Sequence, residues 1–156
     1  MIVNDGSTDR TAEIINNFKI QDSRFRVLDL ETSEHSPGAK VVRTFDKGLQ
    51  ALDWKDFDVV CKYDADIVFP TNYLEKINQT FETNPKAGIV SGLVYIKKYK
   101  SNSEIKNLRN PNENWLDFSN KNNEWIFENL SSKNHVRGPI KAYRKECFED
   151  MNGLRA

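Results

Sequence analysis

The stretch VVCKYDADIVFP, residues 59–70, sets two aspartates one residue apart, Asp64 and Asp66, directly after an apolar run. Alternate residues of an extended backbone share a side, so Asp-x-Asp brings two carboxylates together and their repulsion has to be relieved. A hard divalent cation does this well. Mg²⁺ and Mn²⁺ prefer carboxylate oxygens and complete their shells with water and phosphate. A third acidic residue, Asp5, stands between the apolar pair Ile2-Val3 and Gly6. The pattern alone is weak, because Asp-x-Asp also recurs by chance as solvated turn carboxylates or a helix cap. The elements that hold these residues have to decide.

Those elements alternate. Ile2 and Val3 read as the end of a strand entering a turn at Asp5-Gly6, and Ser7 or Thr8 can cap the helix that carries Ala12, Ile14, Ile15 and Phe18. FRVLDLE (25–31) predicts a second strand, and the Pro37-Gly38 stretch a loop. Val42, Phe45, Leu49 and Leu52 space a second helix. FDVVCKYD (57–64) predicts a third strand, apolar on both faces as a central strand would be. Thr71 or Asn72 is expected to cap a helix through Leu74, Ile77 and Phe81, which Asn84-Pro85 stops.

AGIVSGLVYI (87–96) predicts a fourth strand. Residues 97–123, rich in Asn, Lys and Ser, predict a flexible insertion. EWIFENL is a short amphipathic segment. HVRGPIKAYRKECFEDMNGL predicts strand, turn and helix, with Phe148 and Met151 facing inward. Strands alternating with helices imply βαβ units, hence an α/β fold with a mostly parallel central sheet flanked by helices, in a single domain over 1–156. In such sheets ligands collect outside the carboxyl ends of the strands, where Asp5 and the Asp64/Asp66 pair fall.

Composition narrows the function classes. The 156 residues hold 23 Lys+Arg and 23 Asp+Glu, a balance that argues against nucleic acid or anionic lipid held by bulk charge. Hydrophobic residues at 38% suit a globular chain rather than a disordered one. No apolar run approaches the ~20 residues of a membrane span, and MIVNDGSTD lacks the basic and apolar regions of a signal peptide. Cys61 and Cys147 read as small buried apolar groups, not a disulfide framework. A reducing, cytoplasmic setting fits, and the sequons at Asn78 and Asn129 then read as chance.

Motif order is more specific. IVNDGSTDRTAEII resembles the nucleotide-binding signature of family 2 glycosyltransferases, and KYDADIVFPTNYLEKI resembles that family's Asp-x-Asp segment with its following helix. GAKVVRTFDKGLQAL is similar to the helix between those motifs, and VRGPIKAYRKECFEDMNGL to the acceptor-side segment. The features run in family order over nearly the whole chain. The resemblance implies a Rossmann-like GT-A fold and a nucleotide-diphospho-sugar donor whose sugar passes, with inversion, to a hydroxyl of a glycan or lipid-linked acceptor.

Carried over by residue, the resemblance implies that Asp5 accepts a hydrogen bond from the base, most naturally N3–H of uracil, so a UDP-sugar. Asn4 stands where the family has its first Asp. Asp64 would lie near the ribose or donor sugar, and Asp66 would bind the Mn²⁺ or Mg²⁺ bridging the diphosphate. Lys40 or Arg43 would contact the nucleotide or a phosphate, and basic residues on a solvated helix face are the alternative.

The family's first apolar strand does not precede IVNDGSTD, and its general base belongs beyond Gly153-Leu154, so the expectation is a partial domain without that base. Asp150 is an inviting substitute, but it reads as part of a solvated helix face, and Glu149 is the other residue to reconsider as a base should the chain turn over by itself. His135 is a candidate for a metal shell or phosphate, and Trp115 and Trp125 for an acceptor groove, each with ordinary packing as the alternative. An incomplete sheet would expose an edge for self-association, and a lipid-linked acceptor would place the chain at the inner face of the membrane.

Two rivals remain. A sugar nucleotidyltransferase shares the sheet and a metal carboxylate but needs a Gly-rich, Arg-containing loop that NDGSTDRT is not. A non-catalytic nucleotide-binding fragment would bind donor without turnover.

Overall fold

Ile2–Asp5 forms β1, which pairs in parallel with β2, Val27–Leu30, in the register Ile2↔Val27 through Asp5↔Leu30. The computed structural model describes residues 1–32, 38–98, 124–127, 136 and 138–154. They divide into two compact units, Met1–Val60 with Arg144–Ala156, and Cys61–Tyr143.

In the first unit, helix α1 (Thr11–Gln21) connects β1 to β2, and α2 (Ala39–Gln50) follows β2. The expected cap at Ser7 or Thr8 is corrected. The helix starts at Thr11, whose N–H donates to Asp9 Oδ1 at 3.0 Å, while the Ser7 N–H donates to Asn4 Oδ1 at 3.2 Å. Ser7 therefore serves the strand-to-helix turn, and Asp9 supplies an acceptor at the helix's positive end.

Glycines set two close approaches here. Gly6 has φ +70°, and a Cβ on it would lie 2.5 Å from the Thr32 Cα. Gly48, buried inside α2, would bring a Cβ to 2.5 Å from Val3 Cγ2. A mid-helix glycine costs about 1 kcal/mol against alanine, and here it lets α2 lie directly on β1.

A 3-10 turn at Trp54–Asp56 and helix α4 (Lys145–Asp150) complete the unit. Phe148 on α4 is 2% exposed, with the rings of Trp54 and Phe45 edge-on at 5.6 and 6.1 Å. This matches the expected inward side chain. Met151 is half-buried.

In the other unit, α3 (Tyr73–Thr83) buries Ile77 and Phe81 but leaves Leu74 63% exposed, so only part of the expected apolar stripe is inside. The helix stops at Thr83, and the Asn84 side chain donates to the Thr80 carbonyl at 3.0 Å, as Asn84-Pro85 leads one to expect. The strand expected over 87–96 is broken. β4 is only Ile89–Val90, and β5 begins at Tyr95 and ends at Lys98. The break coincides with Gly92, whose N–H donates to Tyr73 Oη at 3.2 Å rather than to a strand.

Strand β3 (Val59–Tyr63) is at one side of a three-stranded sheet ordered β3-β7-β4, with β7 (Ile140–Arg144) in the middle. The expectation that β3 is the central strand is thus corrected within this sheet. Burial agrees, since Ile140, Ala142 and Tyr143 of β7 are 0–3% exposed while Cys61 of β3 is exposed. Cys61 is therefore not the buried apolar group its run suggests, and Cys147 is half-buried.

β4 pairs antiparallel with β7, and β5 antiparallel with β6 (Glu124–Phe127). The chain is α/β, with parallel pairing at β1–β2. Of the insertion expected at 97–123, Lys97 and Lys98 end β5, and the rest lies outside the described residues. No helix among the described residues is long and apolar enough to cross a membrane.

Candidate functional site

Asp5 is the last residue of β1, and α2 supplies its partners. Lys40 Nζ is 3.2 Å from Asp5 Oδ2, and Thr44 Oγ1 donates to the same oxygen at 3.2 Å. Lys40 and Thr44 are four residues apart, one turn along the same helix face. Both side chains of the ion pair are about a quarter exposed or less, at 21% for Lys40 and 26% for Asp5. The pair is thus partly shielded from water yet open to a ligand. With Oδ2 doubly engaged, the carboxylate is held in one orientation, and it remains an acceptor. Arg43, the other basic candidate, is exposed, and Asp5's ion pair is with Lys40.

Asn4 explains its own residue type. It is 6% exposed, its Nδ2 donates to Asp29 Oδ1 at 2.8 Å, and its Oδ1 accepts the Ser7 N–H. One amide thus fastens β1 to β2 and braces the turn after Asp5. A carboxylate could accept from Ser7 but would face Asp29 with like charge. The amide is required by Asp29.

Asp64 and Asp66 belong to the other unit. The Asp64 N–H donates to the Pro139 carbonyl at 2.9 Å, so backbone pairing continues one residue past β3 before the chain turns at Ala65-Asp66. Asp64 is half-exposed and ion-paired through Oδ1 to the Lys62 ammonium, whereas Asp66 is exposed.

The turn is pinned by rings on both sides. Tyr63 and Phe69 are 4.8 Å apart, and Tyr73 at the start of α3 lies 4.5 Å from Phe69 and 5.9 Å from Tyr63. Such contacts add to burial and fix the ends of residues 64–68. Burial pushes the Tyr63 and Tyr73 phenols up, which keeps them neutral at ordinary pH.

No group of three His, Cys, Asp or Glu converges among the described residues. The acidic turn can therefore offer one or two carboxylates, not an all-protein cage. That donor set suits Mg²⁺ or Mn²⁺, which keep several waters and take substrate phosphate oxygens. A structural zinc site, with four nitrogen or sulfur ligands, does not fit it.

Asp150 is exposed on α4, the solvated face expected of it, and Glu149 beside it is exposed as well. His135 and Trp115 lie outside the described residues, and Trp125 falls in β6. Two partners escaped the sequence reading. Lys62 stands two residues before Asp64 on the same strand face, and Thr44 one helical turn after Lys40. Each spacing carries a signal, but only once the strand or helix is assumed.

The family described as glycosyl transferase family 2 matches residues 1–151. Two poly-beta-1,6-N-acetyl-D-glucosamine synthases of Staphylococcus epidermidis, one of them from strain RP62A, are each 33% identical over 101 residues, 65% of this chain. The chain spans 22% of the length of these curated relatives. No solved structure matches.

Proposed function

The chain belongs to glycosyl transferase family 2, and on that premise we propose that it carries the donor side of a sugar transfer. The donor is a nucleotide-diphospho-sugar, a UDP-sugar by preference, and the acceptor a hydroxyl of a glycan or lipid-linked glycan. The relatives' name makes N-acetylglucosamine the first sugar to test. A GT-A fold with a mostly parallel central sheet, a cytoplasmic setting at the inner face of the membrane and self-association through a sheet edge belong to the same reading.

The observation that carries it is Asp5, held by Lys40 and Thr44 at the end of β1. An oriented carboxylate accepts the imide N3–H of uracil, whereas cytosine presents an acceptor at that position. Lys40 also offers an ammonium to a base carbonyl or a phosphate. Arg43, exposed on the same helix, is the alternative for the phosphate role.

Asp66 is the residue that would hold Mg²⁺ or Mn²⁺, and Asp64 the one that would accept donor hydroxyls. Such a cation supplies Lewis-acid stabilisation as negative charge grows on the departing diphosphate oxygen. A single displacement by the acceptor hydroxyl inverts the anomeric carbon and needs a base on the opposite face of the sugar.

Base choice tests this reading. Calorimetric titration of the full chain should give tighter binding for UDP than for CDP or GDP. The preference should shrink in Asp5→Ala by about 1–3 kcal/mol, the worth of a hydrogen bond to a charged group. Equal affinities for the three nucleotides would refute the assignment of Asp5.

A further inference from the structure

Asp64 and Asp66 share a short turn but not the same surroundings. Lys62 and Asp64 are alternate residues on one strand face, and the Lys62 ammonium contacts Asp64 Oδ1. The Lys62 side chain is 11% exposed and that of Asp64 41%. Asp66 is exposed, and among the described residues no ion pair to it is found.

An ammonium so far out of water is costly unless a carboxylate meets it. Asp64 meets that need, and in return its charge is already balanced. A carboxylate bound to an ammonium is a poor ligand for a second cation, because two positive charges would crowd one pair of oxygens.

We propose that Lys62 is a positioning residue that keeps Asp64 off the metal, leaving Asp66 as the metal carboxylate and Asp64 as an acceptor for donor hydroxyls. The inference rests on the metal-assisted reading above and assigns the two carboxylates different work. Two carboxylates and one ammonium leave the turn a single net negative charge. Alone it therefore holds Mn²⁺ weakly, and the cation binds well only together with a diphosphate.

Mn²⁺ alone is the probe, titrated by water-proton relaxation into the full chain and its variants. Lys62→Met should bind Mn²⁺ about 3–10-fold tighter, as expected from removing one positive charge a few ångströms away in a water-like medium. Adding Asp64→Asn to Lys62→Met should return the affinity to near that of the parent. Asp64→Asn alone should cost less than Asp66→Asn.

A merely structural lysine predicts the opposite sign, since its loss would disorder the turn and weaken Mn²⁺. Unchanged or weaker binding by Lys62→Met overturns the proposal. So does an Asp64→Asn loss as large as that of Asp66→Asn, a comparison that does not depend on how Lys62→Met folds. Should Asp66→Asn leave Mn²⁺ binding intact, the metal assignment of Asp66 fails. Tightening in Lys62→Met that Asp64→Asn abolishes would still support the shielding of Asp64.

Discussion

Asn4 and Asp5 are neighbours with different duties, one buried in structure and one, in the proposed function, the acceptor for the nucleotide base. The Asn4 amide spans Asp29 and the Ser7 N–H, so Asn4→Asp puts a second carboxylate against Asp29 in a site that is 6% exposed. Denaturant unfolding at neutral pH should show a loss of about 2–4 kcal/mol, from one broken hydrogen bond plus an unpaired buried charge. The loss should shrink in acid, where the introduced carboxyl is protonated and can donate to Asp29. At this scale the sequence was readable where a motif names the residue, as at Asp5, Asp64 and Asp66. It was silent on Thr44 and Lys62, because side-chain pairs across an element depend on its rotation and rotamers, which a motif does not record.

The strand-turn-helix from β1 to α1 works as one piece because Gly6 permits it. Its φ of +70° is the left-handed region, and a Cβ there would meet the Thr32 backbone at 2.5 Å. Gly6→Ala should lower stability by about 2 kcal/mol or more, left-handed strain alone being worth 1–2. It should also weaken UDP binding, since Asp5 immediately precedes it; thermal unfolding and calorimetry on the same sample would show both effects. Helix α4 offers a purely structural contrast. Phe148 is 2% exposed between the Phe45 and Trp54 rings, so Phe148→Ala should cost about 3–5 kcal/mol. Helices α1 to α4 were legible from apolar spacing, and so was the start of α3 just after Asn72, whereas the start of α1 was not. Ser7, a good cap by type, lies four residues before the helix's first residue, Thr11, and its N–H braces the preceding turn through Asn4 Oδ1.

Across the whole chain, strand identity was easier to read than strand partnership. β3 carries the more apolar run, VVC, yet β7, written IKAYR, takes the middle of their sheet. Lys and Arg in β7 hid its burial, because long basic side chains bury their stems and send their charge outward. Pairing is a tertiary choice, and one register slip exchanges the two faces, so short runs do not encode it locally. The motifs survive this uncertainty because each one sits at the end of its own strand. Asp5 should act on the base with or without metal, and Asp66 only through metal. The most direct measurement titrates UDP into the parent chain, Asp5→Ala and Asp66→Asn, each with Mn²⁺ and with chelator. Chelator should weaken UDP binding strongly in the parent and hardly at all in Asp66→Asn, and Asp5→Ala should bind more weakly than the parent in both conditions. Equal UDP affinity with and without Mn²⁺ in the parent, or the same response to chelator in Asp66→Asn as in the parent, would contradict this.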